Sequence, residues 1–436
     1  MELYGIAEAP GLYFEGHFED TRGAFPVLPE GEDIVEHVFE RHGRLGVRNM
    51  IWQLGRSFLT FHTEHPLLTV QGSITRAEGL EDELTGWSRL WYTYLQERCP
   101  LRKALDEGAE RDMPVWGWLC MNRNYSFSEG KFRCSRFWIE HRERMGEYTK
   151  KGDRDFSRLC YVFPEYREER RTAVMEAARA SGYENGRHLE AIVVDFVRQP
   201  PMLQYHPLLC EGYREAAGVD PREIQAQDVD RYLAWCAWRA GILTDFMRTV
   251  RRELDQYGEE IGHAFKLVPR ITDLGIAINL IEGVDVVSWC EEGLIDGLVT
   301  SPLNWARTVW EHDLRPYTAL GKRYGIPIIA GVSLNQQTRF HGNGGSINYA
   351  ILARRVHDYQ NQGADGIAFY QSESGLEFDG IEEVIPRLAE VEETRALFED
   401  RAFVERWPIT HLNCAYGLDC HSHFNNFTID MDVSPM

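Results

Sequence analysis

The segment Ala191-Ile192-Val193-Val194-Asp195 decides the fold prediction, because an apolar, β-branched run ends abruptly in a carboxylate. Such a run is typical of a buried strand in a parallel sheet that helices cover on the outside. Proteins built this way carry their chemistry at the carboxyl ends of the strands. Asp195 is therefore the first residue that we predict to belong to a functional site.

Other apolar or β-branched runs, each followed by polar residues and then by a helical pattern, repeat this arrangement along the chain. We predict eight strands, at residues 47–53, 115–121, 158–163, 190–197, 263–269, 297–301, 326–332 and 366–371. Helical patterns such as 164–180 and 229–256 lie between them. Eight strand-then-helix units predict an α/β protein with a (β/α)₈ TIM barrel. An open, doubly wound sheet is the alternative fold, since its strands and helices alternate in the same way.

The domain organisation follows from what the sequence lacks. No Gly/Ser-rich or Pro-rich linker divides the 436 residues, so we predict one folding unit. Residues 46–400 should form the barrel. Residues 1–45 are expected to be an N-terminal extension packed on the barrel, and residues 401–436 a C-terminal extension.

Composition restricts the partners and the compartment. The net charge of −21 would repel nucleic acid and anionic membranes, so we expect neither as a partner. The sequence has no apolar run near the ~20 residues that span a bilayer, and residues 1–8 do not resemble a signal peptide. Nine scattered cysteines fit reduced thiols. We therefore expect a soluble, cytoplasmic protein, and the sequence is compatible with a homo-oligomer.

The residues that follow the predicted strands are unusually rich in carboxylate, amide, cationic and aromatic side chains. The carboxylates are Glu165, Asp195 and Glu373. The candidate substrate-binding residues are Trp52, Arg56, His62, Asn122, Asn124, Tyr125, Arg198, Arg270, Asn304, Trp305, Asn335 and Tyr370. Carboxylates and amides bind sugar hydroxyls, and flat aromatic rings cover the apolar faces of a pyranose. The set predicts a carbohydrate ligand.

Cleavage of a glycosidic bond needs two carboxyl groups, one protonated to donate a proton and one ionised to act as nucleophile or to activate water. We predict Asp195 and Glu373 as this pair, with Glu165 as the alternative member. Each also has a structural interpretation. Asp195 could pair with Arg198 or cap a turn, Glu165 could begin a helix, and Glu373 could lie in a solvated loop.

Two other functions stay open. Arg56, Arg198 and Arg270 could hold the acid group of a substrate, as in a sugar-acid lyase or isomerase, or they could pair with protein carboxylates. A carbohydrate-binding barrel without hydrolytic activity is the other alternative, because a fold does not fix a function.

We predict no metal and no cofactor. A two-histidine helical zinc motif requires a spacing of four residues, whereas His62 and His65 are three residues apart. The glycine-rich stretch 341–346 lacks the Lys-Ser/Thr ending of a phosphate-binding loop and is expected to be a loop over the barrel mouth. A group of histidines and cysteines near the C-terminus also lacks the spacing of a known zinc module. It comprises His411, Cys414, Cys420, His421 and His423.

Three segments resemble the glycoside-hydrolase-like TIM-barrel proteins known as family-10-like glycosyl hydrolases. They are Ala191-Ile192-Val193-Val194-Asp195-Phe196-Val197-Arg198, Val284-Asp285-Val286-Val287-Ser288-Trp289-Cys290-Glu291-Glu292-Gly293-Leu294-Ile295-Asp296 and Gln362-Gly363-Ala364-Asp365-Gly366-Ile367. The likeness spans about residues 46 to 375. It implies a barrel that binds or cleaves a carbohydrate, with Asp195 and Arg198 in the site. The chain departs from the family pattern at Met121-Asn122-Arg123-Asn124, where Arg123 replaces an acidic residue, and this puts a shared role of that loop in doubt.

Overall fold

The computed structural model describes residues 1–8, 33–125, 131–182, 186–198, 200–225, 227–301, 313–334, 349–377 and 380–406. In these ranges the strands are β1 (Glu2–Ala7), β2 (Asn49–Gly55), β3 (Val115–Cys120), β4 (Gly146–Tyr148), β5 (Arg154–Leu159), β6 (Ala191–Asp195), β7 (Lys266–Thr272), β8 (Leu298–Ser301), β9 (Ile328–Ser333) and β10 (Gly366–Tyr370). Eight of them form a closed parallel barrel in the order β1-β10-β9-β8-β7-β6-β3-β2. The predicted (β/α)₈ fold is confirmed.

Helices fill the connections between the barrel strands. The α-helices are α1 (Ile34–Arg44), α2 (Ser73–Ala77), α3 (Gly86–Glu97), α4 (Pro100–Glu110), α5 (Arg136–Met145), α6 (Pro164–Ala180), α7 (Pro207–Ala217), α8 (Val229–Ile261), α9 (Ile276–Ile281), α10 (Val286–Glu291), α11 (Arg315–Tyr324), α12 (Tyr349–Asn361), α13 (Ser372–Gly375), α14 (Val391–Glu399) and α15 (Arg401–Arg406). None of the helices in the described part of the chain combines the length and the apolar character that crossing a bilayer requires.

One predicted strand does not belong to the barrel. The run at 158–163 contributes only to β5, which pairs antiparallel with β4 in a hairpin separate from the barrel. The missing barrel strand is β1, so the segment 1–45 is not merely an extension packed on the barrel. A barrel closes only when its first and last strands pair, and β1 meets this need through a register from Glu2↔Gly366 to Ile6↔Tyr370. The strand predicted at 263–269 is present as β7, with its bounds shifted to Lys266–Thr272.

The alternation of side chains along the strands creates two cores. Val193 and Val268 belong to the cluster inside the barrel, whereas Trp52 belongs to the larger cluster between the strands and the helices. Successive side chains of a strand point to opposite faces. Asp195 and Arg270 each lie two positions beyond an inward-facing valine, and so they project into the carboxyl end of the barrel.

Gly5 permits a close approach between β1 and α1. A Cβ atom at this position would lie 2.4 Å from Cδ2 of His42. Burial lowers the pKa of His42 to about 4, so its ring is neutral at physiological pH. Its Nδ1 lies 2.6 Å from the carbonyl oxygen of Val38, and its Nε2 accepts a hydrogen bond from the Ser372 hydroxyl at 2.8 Å. The histidine therefore connects α1 to the segment that follows β10.

We expect Gly5→Ala to lower the free energy of unfolding by about 1–3 kcal/mol, since the added methyl group overlaps the His42 ring. Urea denaturation measures the change. Gly241→Ala is the matched control, because Gly241 lies inside α8 and an added methyl group there would have no atom within 4 Å. This control should raise stability by about 0.5–1 kcal/mol. Equal stabilities of the two variants would contradict the close approach.

Candidate functional site

An ion pair between Asp195 and Arg270 fills the carboxyl end of the barrel interior. Arg270 donates from Nη1 to Asp195 Oδ2 at 2.9 Å, and Trp118 donates from Nε1 to the same oxygen at 2.8 Å. The other oxygen, Oδ1, accepts the backbone N–H of Val197 at 2.8 Å. The two charged side chains are 0% and 1% exposed. Because the protein itself engages both oxygens of Asp195, this geometry favours the structural interpretation of the residue, with Arg270 rather than Arg198 as its partner.

Further contacts of Arg270 extend this network around the barrel. Its Nη2 donates to the Ser301 hydroxyl at 2.7 Å, and its guanidinium lies over the Tyr370 ring, 4.4 Å from the centroid. Together with Trp118 and Asp195, these side chains come from β3, β6, β7, β8 and β10. The network therefore joins five of the eight barrel strands.

Cys120 also lies against this network, and it is not poised as a nucleophile. Its Sγ is 3.5 Å from Asp195 Oδ2. Burial and the negative charge of Asp195 raise the pKa of the thiol to about 12. The sulfur is therefore protonated at neutral pH, whereas a reactive cysteine needs the thiolate form.

Glu8, directly after β1, is the centre of a second cluster, which the sequence analysis missed. Arg56 donates from Nη2 to Glu8 Oε2, and Arg198 donates from Nη2 to Oε1 at 3.0 Å. Burial acts to raise the pKa of Glu8, but the charges of Arg56 and Arg198 outweigh it and lower the pKa. Glu8 is therefore ionised at neutral pH. The signal that could have identified it is the apolar run 3–7, which ends in a carboxylate as the run before Asp195 does.

Glu373 lies beside Glu8 in a different electrostatic environment. It is 3% exposed, and its Oε2 accepts the backbone N–H of Glu8 at 3.1 Å. Among the residues that the structure describes, we find no lysine or arginine in an ion pair with it. Burial, together with the negative charge of Glu8, raises the pKa of Glu373 to about 8. The side chain is therefore mostly protonated at neutral pH.

A tight turn brings Glu373 to this position. Gln371 follows β10 with a φ of 56° and a ψ of 43°, the left-handed conformation that residues other than glycine rarely adopt. The turn starts α13, so that the Ser372 hydroxyl reaches His42 while Glu373 reaches the backbone of Glu8. Unusual backbone conformations of this kind concentrate at functional sites.

Three predicted site residues lie away from this cluster. Trp52 faces the helices and packs on Phe39, with ring centroids 5.6 Å apart. Glu165 lies half-exposed at the start of α6, where the helix backbone and Arg144 lower its pKa, and its Oε1 is 2.9 Å from Arg144 Nη2. His62 has a side chain that is 80% exposed. The structure therefore does not support a place for Trp52, Glu165 or His62 beside the buried carboxyl groups.

The predicted residues after β3 form a structural support. Asn122 is buried, and its Oδ1 accepts the backbone N–H of Leu159 at 3.2 Å. Asn124 donates from Nδ2 to the carbonyl oxygen of Ser157 at 3.3 Å. Tyr125 is buried next to them. These contacts hold the β4–β5 hairpin against the barrel. This structural role explains why amide side chains occur at positions 122 and 124.

The other predicted residues divide into two groups. Asn304, Trp305 and Asn335 lie outside the described residues, as do the glycine-rich stretch 341–346 and the histidine and cysteine group after residue 410. In the described ranges, no three His, Cys, Asp or Glu side chains converge as a metal site would need. The structure brings together, at the carboxyl end of the barrel, Arg56, Asp195, Arg198, Arg270, Tyr370 and Glu373.

Comparison with known proteins supports the fold. No protein-family model and no curated protein matches the chain, so membership of the family-10-like group is not shown. Solved structures with a similar fold include α-L-fucosidase isoenzyme 2 from Paenibacillus thiaminolyticus, with a TM-score of 0.51 and 13% identity over 92% of this chain and 50% of that chain. The chain thus spans about half the length of that fucosidase. Another is the catalytic domain of β-amylase from Paenibacillus polymyxa, with a TM-score of 0.50 and 7% identity over 93% of this chain and 99% of that chain.

We expect Asp195→Asn to lower the free energy of unfolding by about 3–5 kcal/mol, because it leaves the buried Arg270 without a counter-charge. Glu292→Gln is the control. This variant removes a carboxylate partner from the more exposed Arg248, and it should lower the free energy of unfolding by no more than about 1 kcal/mol. Guanidinium chloride denaturation of both variants measures the difference. An equal loss of stability in Asp195→Asn and Glu292→Gln would show that the Asp195 charge is not needed to balance Arg270.

Proposed function

We propose that this protein is a glycoside hydrolase in which Glu373 donates a proton and Glu8 is the ionised carboxylate. The observation that carries the proposal is the contrast between two neighbouring buried carboxyl groups. Two guanidinium groups hold Glu8, whereas Glu373 accepts a hydrogen bond from the backbone N–H of Glu8. Environments that separate the proton affinities of two carboxyl groups divide the acid and base roles between them.

The proposed reaction follows from these protonation states. Glu373 gives its proton to the glycosidic oxygen as the bond to the anomeric carbon breaks, and it becomes a carboxylate. Glu8 faces the positive charge that develops on the sugar, either as the nucleophile or as the group that activates water. Its lowered pKa makes Glu8 a weak base, which suits the nucleophile better.

Asp195 takes a positioning role in this proposal in place of the catalytic role that the sequence suggested. It fixes Arg270, and the guanidinium of Arg270 lies over the Tyr370 ring. The Tyr370 hydroxyl in turn is 3.5 Å from Glu8 Oε1. Asp195 therefore reaches the proposed reacting groups only through two other side chains.

The fold and the arginine contacts favour a glycoside hydrolase over a sugar-acid lyase or isomerase. The same barrel occurs in a fucosidase and in a β-amylase, so the fold can support glycoside cleavage. A sugar-acid lyase or isomerase would need arginines that are available to a substrate. Arg56 and Arg198 instead pair with Glu8, and Arg270 pairs with Asp195, which argues against that alternative.

A carbohydrate-binding barrel without hydrolytic activity is the second candidate. The observation that favours it is that protein side chains engage both carboxylate oxygens of Glu8, which is only 4% exposed. A nucleophile would have to leave at least one of these ion pairs. Calorimetric binding of neutral oligosaccharides, without cleavage in a panel of aryl glycosides, would establish this candidate instead.

We expect Glu373→Gln to lower kcat/KM by at least about 100-fold on an aryl glycoside with a poor leaving group, such as a phenyl glycoside, since the amide cannot donate the proton. The loss should be much smaller on a 2,4-dinitrophenyl glycoside, because this leaving group departs without protonation. Glu165→Gln is the matched control and should retain full activity, since Glu165 lies half-exposed on α6. Wild-type activity of Glu373→Gln on both substrates would refute the assignment of the acid.

The raised pKa of Glu373 also predicts two pH dependences. We expect kcat/KM to fall as the pH rises through about 8, where the proton donor is lost. Because the folded-state pKa lies above the ordinary value of 4.5, folding stability should decrease as the pH rises from 4.5 to about 8. Glu373→Gln should show a smaller decrease than the wild type, because the raised pKa values of the buried Glu147, Asp273 and Glu282 still contribute. Parallel stability profiles of the variant and the wild type would contradict the buried, protonated state of Glu373.

A further inference from the structure

A cavity of about 380 Å³ lies between the loop that follows β2, helix α2 and the junction of α3 with α4. This volume falls in the range of pockets that hold small molecules. The residues that line it do not include Glu8, Arg56, Asp195 or Glu373. The cavity is therefore distinct from the cluster at the carboxyl end of the barrel.

The charged side chains that line the cavity are basic, although acidic residues outnumber basic ones by 68 to 47 in the chain. Arg98 forms an ion pair with Asp33. Arg76 differs, because in the described ranges no carboxylate forms an ion pair with it. Its Nε is 3.5 Å from the Tyr92 hydroxyl, which in turn is 3.5 Å from Glu81 Oε1. Arg76 is therefore an exposed guanidinium that no carboxylate in the described ranges contacts directly.

Gln71 adds a buried hydrogen-bond donor. The residue is 4% exposed, and its Oε1 accepts the Trp91 Nε1–H at 2.9 Å. This bond fixes the orientation of the amide group, because an indole nitrogen can only donate. Within the described residues the amide nitrogen of Gln71 has no hydrogen-bond partner. Because Gln71 lines the cavity, this donor is available to an acceptor that binds there.

Two of the three hydroxyl groups of the lining donate to the protein. Thr60 donates to the carbonyl oxygen of Gln53 at 3.2 Å, and Thr63 donates to Glu176 Oε2 at 2.8 Å. The other side-chain donors of the lining are the amide of Gln71, the two guanidinium groups and the side chains of His62, Ser73 and Gln96. Cys99 and Pro100, at the start of the eleven-residue α4, also line the cavity, and no side chain caps this helix end. The helix dipole therefore adds to the positive potential.

We infer that this cavity binds a small organic anion, and that the class of ligand is a phosphorylated or carboxylated sugar. The basic residues and the Gln71 amide receive the anionic group. The apolar side chains of Phe61, Val70 and Leu95 line the same cavity and provide contacts for the carbon skeleton. The inference does not depend on the hydrolase proposal, since the two sites share no lining residue.

Isothermal titration calorimetry of the full chain tests the inference with three probes: glucose 6-phosphate, gluconate and glucose. We expect saturable binding of the two anions that weakens as the salt concentration rises, and no binding of glucose. Arg76→Glu should weaken the binding of glucose 6-phosphate at least tenfold. The matched control is Arg89→Glu, which makes the same charge change on α3 outside the cavity, where Arg89 is 60% exposed. This control should bind as the wild type does.

Three results would overturn the inference: no binding of either anion, binding of glucose as tight as that of glucose 6-phosphate, or equal weakening by Arg76→Glu and Arg89→Glu. Gln71→Leu should also weaken the binding, and circular dichroism shows whether this variant keeps its fold. Glu373→Gln should bind glucose 6-phosphate with wild-type affinity. The glycosidase activity of this variant tests the hydrolase proposal, and its binding of glucose 6-phosphate tests the anion site. Either proposal can therefore fail while the other stands.

Discussion

The arrangement of the barrel mouth depends on the ion pair between Asp195 and Arg270. A guanidinium that is 1% exposed needs a counter-charge, and Asp195 provides it from the neighbouring strand. Buried pairs of this kind contribute little net stability, but they fix geometry, because loss of either partner leaves an uncompensated charge. Arg270 held in this way also contacts Ser301 and Tyr370. One electrostatic requirement thereby determines the positions of side chains on several strands.

The two carboxyl groups of the proposed reaction come from opposite ends of the barrel sequence. Glu8 follows the first strand and Glu373 follows the last, and these two strands pair with each other where the barrel closes. Gly5 lets His42 approach this junction, and His42 bonds to Ser372 next to Glu373. The contrast between a neutral and an ionised carboxyl group is therefore a product of long-range packing rather than of local sequence.

The sequence was sufficient for the fold class and for part of the candidate site, because the residues after buried strands meet at one end of a parallel barrel. Asp195, Glu373 and Arg270 were found in this way. Trp52 was misassigned, since a shift of one position decides whether a side chain faces the barrel interior or the helices. Glu8 was missed because its strand lay in a segment that was assigned to an extension. The partners of the arginines depend on strand order, which a single sequence does not specify.

The position of Glu373 at the junction of the first and last strands couples protonation to the integrity of the barrel. Its high proton affinity exists only while burial and the charge of Glu8 act on it together. Separation of β1 from β10 would return the carboxyl group to water, where it would release its proton at neutral pH. Opening of the barrel at this junction is therefore a proton-releasing event, and acid would hold the two strands together while alkali would loosen them.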